Sequence, residues 1–418
     1  MNTTVRTFVG TAAAAVTLAA CSSTGPTAVP EAPISPAAPT TTAAAEPAAR
    51  GVEAPIEDVP WSQVGPGWTL ATWSPAVATA AGAEPPPGTP TRQTASTTLY
   101  LVDPAGGRYP VTTFAPGARA ELADWSGDGK HALFEAFDYE TNENTITDVD
   151  LTTGAKQSFP VDGQVGVAYS RPTGKAVLVS TSRNGDVAAT LRRVDLTGAE
   201  QLTYPTDQLG AAGEFNGSHL AAPDGTTLVL GAANGMVVVG NDGVVKRQLP
   251  MQGPLTDCSP VRWWTSAVIL ARCREVTFSS ASQLWQVPVD GAAPTALTAV
   301  NSGQGDDPAF GSDLGDADAF ALPGGIYLQS VGACGSAFLS RLTPDMHTTK
   351  VTVPGVDDEH SVLVKGVAGD KLVLQATMSC GSGESLLTYD AVANTSTVLL
   401  GPPVNGGGVI EAVPYPSG

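Results

Sequence analysis

One unit recurs seven times along this chain, and that recurrence limits what the chain can fold into more than any other feature. Each copy is a short apolar strand, a turn usually bearing aspartate or glycine, and a second short strand. The copies are LYLVDPAGGRYPVTTF (99–114), ITDVDLTTGAKQSFPV (146–161), LRRVDLTGAEQLTYPT (191–206), VVVGNDGVVKRQLPM (237–251), LWQVPVDGAAPTALTAV (284–300), LSRLTPDMHTTKVTVPG (339–355) and LLTYDAVANTSTVLLGP (386–402). Their turn aspartates are Asp103, Asp150, Asp195, Asp242, Asp290, Asp345 and Asp390. A period of roughly 45 to 55 residues with strand-like contents points to the blades of a ring of sheets rather than to helical solenoid repeats.

Each copy follows an apolar strand of its own, such as HALFEAFD (131–138) or KLVLQAT (371–377). Before that strand comes an innermost one, joined to it by a tight turn such as Ser126-Gly127-Asp128-Gly129-Lys130 or Pro223-Asp224-Gly225. Asp-Gly supplies the positive φ that a short hairpin connection requires. Four strands per copy predict an all-β propeller of seven four-stranded blades, with six or eight blades as the alternatives. The 46 glycines and 34 prolines, against only 15% charged residues, fit many reversals and few solvated helices. Closure is the open question. Residues 58–65 around Trp61 and the tail GVIEAVPYP (408–416) both compete for the innermost strand of the first blade. The Gly65-Pro66-Gly67 reversal favours the first segment, which makes the tail an added edge strand.

WSGDGKHALFEAF (125–137), followed by DVDLTTGAKQSF (148–159), resembles the repeat of TolB-like propellers, and YSRPTGKAVLVS (169–180) and AAPDGTTLVLGA (221–232) are weaker copies. In that family a Trp-Ser-x-Asp-Gly-Lys turn joins the first two strands and an Asp-Leu-x-x-Gly turn the last two. The resemblance implies the propeller fold. TolB itself has six blades and an extra N-terminal domain, so its role in the Tol system does not follow here.

The N-terminus reads as an export signal. Arg6 gives a positive start, and the apolar run from Phe8 to Ala20 is too short to span a bilayer. It ends in Leu18-Ala19-Ala20-Cys21, a lipobox-like motif whose thiol would carry a diacylglycerol. The expected organisation is a lipoprotein signal peptide (1–20), a disordered Ser/Thr/Ala/Pro tether (21–55) and the propeller (56–418), held on the outer side of the cell membrane by the Cys21 lipid.

Four further cysteines in an exported protein suggest two disulfides. The repeat register places Cys258 and Cys273 at opposed ends of neighbouring strands, and Cys334 and Cys380 in equivalent loops of adjacent blades. Trp125 and Trp264 fall late in innermost strands and read as core packing. His131, His219, His347 and His360 share no metal-ligand spacing, and no Gly-x-Ser-x-Gly elbow occurs. Asp306, Asp307, Asp313, Asp316 and Asp318 could gather around Ca²⁺, but they lack the twelve-residue calcium-loop pattern, and a solvated acidic loop is the favoured reading. No cofactor is expected beyond that candidate.

Insertions concentrate on one face, the one carrying blade-to-blade connections: Pro75–Ser96, Tyr139–Thr147, Arg274–Ser282 and Ser302–Asp316. Elaboration of one face marks where such a ring binds. With a formal charge of −19 the chain repels phosphate backbones, so nucleic acid is excluded as a partner. The expected function is a lipid-anchored binding or scaffold module that engages an envelope protein or glycan through this acidic face. The alternative is a hydrolase or lyase acting on a sugar or lactone around a central metal.

Overall fold

The computed structural model describes residues 48–76, 87–91, 93–182, 187–275, 281–301, 315–332, 336–357, 360–378 and 383–416. Among them, 28 strands form six antiparallel sheets, five of four strands and one of eight. The second sheet is typical: Glu121–Trp125 is innermost, followed outward by His131–Asp138, Glu143–Asp150 and Lys156–Asp162. The third sheet begins at Val165–Tyr169, the fifth at Asp316–Leu322 and the sixth at His360–Ala368. The fourth is the eight-stranded one. Its halves, starting at Phe215–Ala221 and Asp257–Thr265, share the single residue pair Ala232–Cys258.

The recurring turn aspartate has a local cause. Asp103 Oδ1 accepts the amides of Ala105 and Gly107, Asp150 Oδ1 those of Thr152 and Thr153, and Asp195 Oδ1 those of Thr197 and Ala199. Asp242, Asp290 and Asp390 likewise take the amide two residues on. A carboxylate there satisfies turn amides that no strand can pair, which is why the residue type repeats.

The first sheet closes the ring and corrects the expectation for the tail. Gly408–Pro414 is its innermost strand, paired from Thr69↔Pro414 to Ser74↔Gly408, so the C-terminal strand is a clasp and not an edge addition. It lies beside Glu121–Trp125 of the second sheet and His360–Ala368 of the sixth. Residues 58–65 supply no strand: a short 3-10 helix, Ile56–Asp58, leads into turns, and Trp61 packs against the core around Trp68 and Tyr109. Pro60 lacks the amide a ladder needs. The segment before it also departs from a simple tether. Ala48 donates its amide to the Tyr109 hydroxyl, Gly51 N to Gly106 O, and Glu53 bridges alongside Arg108, so 48–55 covers the outer edge of the first sheet.

The hydrophobic core is distributed between sheets rather than gathered at one centre. Leu133, Ile146 and Phe159 of the second sheet meet Tyr169, Val177 and Val179 of the third. Phe320 and Leu339 of the fifth meet Leu372 and Leu374 of the sixth, and Leu386 and Leu399 of the sixth meet Ala71 and Val409 of the first. Side chains alternate across each strand, so both faces of a sheet are apolar only when a neighbour covers each one.

Candidate functional site

The innermost strands all run the same way, from one face of the ring to the other, and the two faces differ. Where they end, sheets turn back through connections of two to six residues. Where they begin, connections include 75–96, 182–190, 204–214 and 297–315. The expected insertion Tyr139–Thr147 is smaller than the sequence suggested: His131–Asp138 and Glu143–Asp150 are one long hairpin with a four-residue tip. That tip stands out on the loop face. Tyr139 is 73% exposed, its ring edge-on to Phe137 at 4.8 Å and capped by the Arg119 guanidinium at 5.9 Å. With Asp138, Glu140 and Thr145 these residues border an open groove of about 610 Å³.

The innermost strands surround a channel. Toward the short-turn face it holds a cavity of about 450 Å³, lined by Asp124, Arg171, Arg262, Trp263, Lys365 and Tyr415 among others. Ion pairs tie neighbouring innermost strands, or the turn that follows one, across three gaps. Arg171 Nη2 donates to Asp124 Oδ1 at 2.8 Å, Arg262 takes both oxygens of Asp318 at 2.8 Å, and Lys365 Nζ meets Glu411 Oε2 at 3.1 Å. Burial pushes Asp124 and Asp318 up from the ordinary carboxylate range, against the pull of their guanidiniums. Two amides do similar bridging inside the gaps. Gln329 Nε2 reaches Val362 O, and Gln375 Nε2 reaches Val409 O and Ile410 O of the clasp. Sheets packed on one another in a closed ring, with their innermost strands around a central channel, define the fold. The chain is a β-propeller.

No known family and no curated protein matches the chain. Solved structures do. The propeller domain of the Trilobed protease from Pyrococcus furiosus is 13% identical, with a TM-score of 0.49 over 80% of this chain and 93% of that one. TolB from Acinetobacter baumannii is 16% identical, with a TM-score of 0.43 over 84% and 67%. An oligogalacturonate lyase in complex with manganese is 14% identical, with a TM-score of 0.42 over 68% and 85%. At these identities the likenesses transfer no function to this chain.

Of the residues singled out in the sequence, Cys258 and Cys273 form a fully buried disulfide between directly paired strand positions. Cys21, Cys334, Cys380, Asp306, Asp307 and Asp313 lie outside the described residues. Asp318 is committed to Arg262, and Asp316 is buried and accepts the Ser330 hydroxyl at 2.7 Å. Among the described residues no three His, Cys, Asp or Glu side chains are grouped to hold a metal ion. Trp125 is fully buried against Tyr415, whereas Trp264 is half-buried beside Leu270 and Leu284.

The histidines go separate ways. His131 is raised by its hydrogen bond to Asp148, which also accepts the Tyr169 hydroxyl across the gap to the third sheet. Burial lowers His219 to about 4, and His347 stays in an exposed turn. His360 sits between the carboxylates of Asp357 and Glu384, which outweigh burial and raise it. The Ser126–Lys130 turn is also structural. Ser126 Oγ accepts the amides of Lys130 and His131, and a Cβ on Gly127 would lie 2.3 Å from the Pro172 carbonyl of the next sheet. The channel ion pairs escaped sequence reading because residues some 40 to 60 positions apart meet only once the strands share a ring.

Proposed function

We propose that the chain is a lipid-anchored binding module of the cell envelope, a TolB-like propeller that engages a protein or glycan through its loop face. The eight-stranded sheet is read as two blades, because its halves share only one residue pair, and this gives seven blades in all. The anchor is the Cys21 lipid, which puts the ring on the extracytoplasmic side of the membrane. The inequality of the two faces carries the reading. Short turns end every sheet on one side, while the other bears the long connections and the Tyr139 hairpin tip. A tyrosine left 73% exposed beside a phenylalanine and an arginine presents rigid apolar area with hydrogen-bonding capacity, the composition that dominates recognition patches.

The test is affinity isolation of the lipidated protein from its own membranes, followed by identification of what accompanies it. The double variant F137A/Y139A should fold as the parent does and lose the companion by at least tenfold. Retention of the companion at the parental level would refute the loop-face assignment.

A further inference from the structure

The chain carries 21 Lys and Arg against 40 Asp and Glu, yet the wall of the channel mouth on the short-turn face presents three cations and one carboxylate. Arg171, Arg262 and Lys365 line it with Asp124 as their one carboxylate neighbour in the wall, while Asp318 and Glu411 pair from outside the lining. The pairs leave donors over. Arg262 uses Nε and Nη2 on Asp318, and Lys365 uses one of three protons on Glu411. Arg262 Nη1 and the other two ammonium protons therefore have no hydrogen-bond acceptor among the described residues, while the face of the Arg262 guanidinium is stacked on the Phe320 ring at 3.8 Å. Joining the clasp does not require the Lys365 charge, since Gln375 already bonds it across the very gap that Lys365 and Glu411 span.

The rest of the wall is apolar and aromatic: Trp263, Tyr415, Leu220, Val367, Val413 and Pro414. A cavity of about 450 Å³ with few convergent polar groups suits a small ligand whose head is anionic and whose body is not. Asp124 in the same wall disfavours a doubly charged phosphate and leaves room for one carboxylate. We propose that this mouth binds the carboxylate of a small amphipathic molecule, the head on Arg262 and Lys365 and the body against Trp263 and Tyr415. The same chemistry is offered by the free C-terminus of a peptide and by a short organic acid. This site is independent of the loop face.

Titration calorimetry of the full chain tests it at pH 7 and low salt, using N-acetyl-Leu-Phe, its C-terminal amide, octanoate and inorganic phosphate as probes. The dipeptide acid or octanoate should bind at least tenfold more tightly than the amide, because a charge-assisted contact is lost with the carboxylate. Tighter binding of the dipeptide identifies peptide ends as the source, and tighter binding of octanoate identifies organic acids. Lys365→Met should weaken the acid by a similar factor. It leaves only the half-exposed Glu411 without its partner, so folding, checked by circular dichroism, should survive where Arg262→Met would strand the more buried Asp318. Equal affinity for acid and amide, no binding of either acid at millimolar concentration, or phosphate binding as tightly as the acids would overturn the proposal.

Discussion

Deleting residues 408–418 should abolish cooperative folding, although a tail of that length reads as dispensable. The strand removed contributes Val409 and Ala412, both buried, and the Tyr415 ring packed edge-on against Trp125 at 5.1 Å. Burial of the valine alone is worth about 2 kcal/mol and the alanine and tyrosine contacts roughly as much again. Its loss also strips Gln375 Nε2 of both acceptors and Lys365 of Glu411, at about 1–3 kcal/mol for each buried group left unpaired. Thr69–Ser74, buried along most of its length, would become an open edge. The total, about 6–10 kcal/mol, is comparable to the whole stability of an ordinary domain. Urea denaturation followed by tryptophan fluorescence, with size-exclusion chromatography of the undenatured sample, reads the outcome. The truncated chain should aggregate or show no sigmoidal transition. A monomer with a cooperative transition shifted by less than about 2 kcal/mol would mean that the tail is an edge strand and does not clasp the ring.

Removing the disulfide with C258A/C273A should cost about 3 kcal/mol by the chain-entropy estimate for a loop of this size, read from the same urea curves. His219 is near 6.5 when unfolded and held to about 4 when folded, so its contribution is intact above pH 6.5. That contribution drains away as the pH falls to 4, by up to about 3 kcal/mol, and H219L should flatten this part of the pH–stability profile. A slope unchanged by H219L would show that the ring is not sealed from protons. Cys21→Ser should leave the protein exported but release it from membranes, and continued membrane partitioning would contradict the anchor.

The repeat was legible because it rests on local chemistry. An aspartate whose side chain caps its own turn, as Asp150 and Asp195 do, recurs wherever that turn recurs. The pairing of Cys258 with Cys273 followed from the same register, since opposed strand ends need only local counting. Closure was not local. Residues 58–65 and 408–416 both look strand-like, and the choice depends on partners about 340 positions away, such as Thr72 with Glu411. Pro60 was the available signal against the first segment. The docking of 48–55 on the first sheet was hidden by composition, since half of its hydrogen bonds to the sheet are backbone to backbone and the others rest on Glu53 and the Tyr109 hydroxyl, which leave no apolar periodicity. The exposed hairpin tip at Tyr139 is obscured too, because the polar residues 143–147 look like loop in the sequence although they continue a strand.

The reading of the loop face as the working face meets its most direct test in paired photocrosslinking. A benzophenone side chain is placed at Tyr139 on the loop face and, separately, at Val392, which is 72% exposed in a turn of the opposite face. Both proteins are irradiated in intact cells and the adducts are identified. The account predicts a discrete adduct from position 139 and none of the same identity from position 392. An adduct confined to position 392, or the same adduct from both, would contradict it.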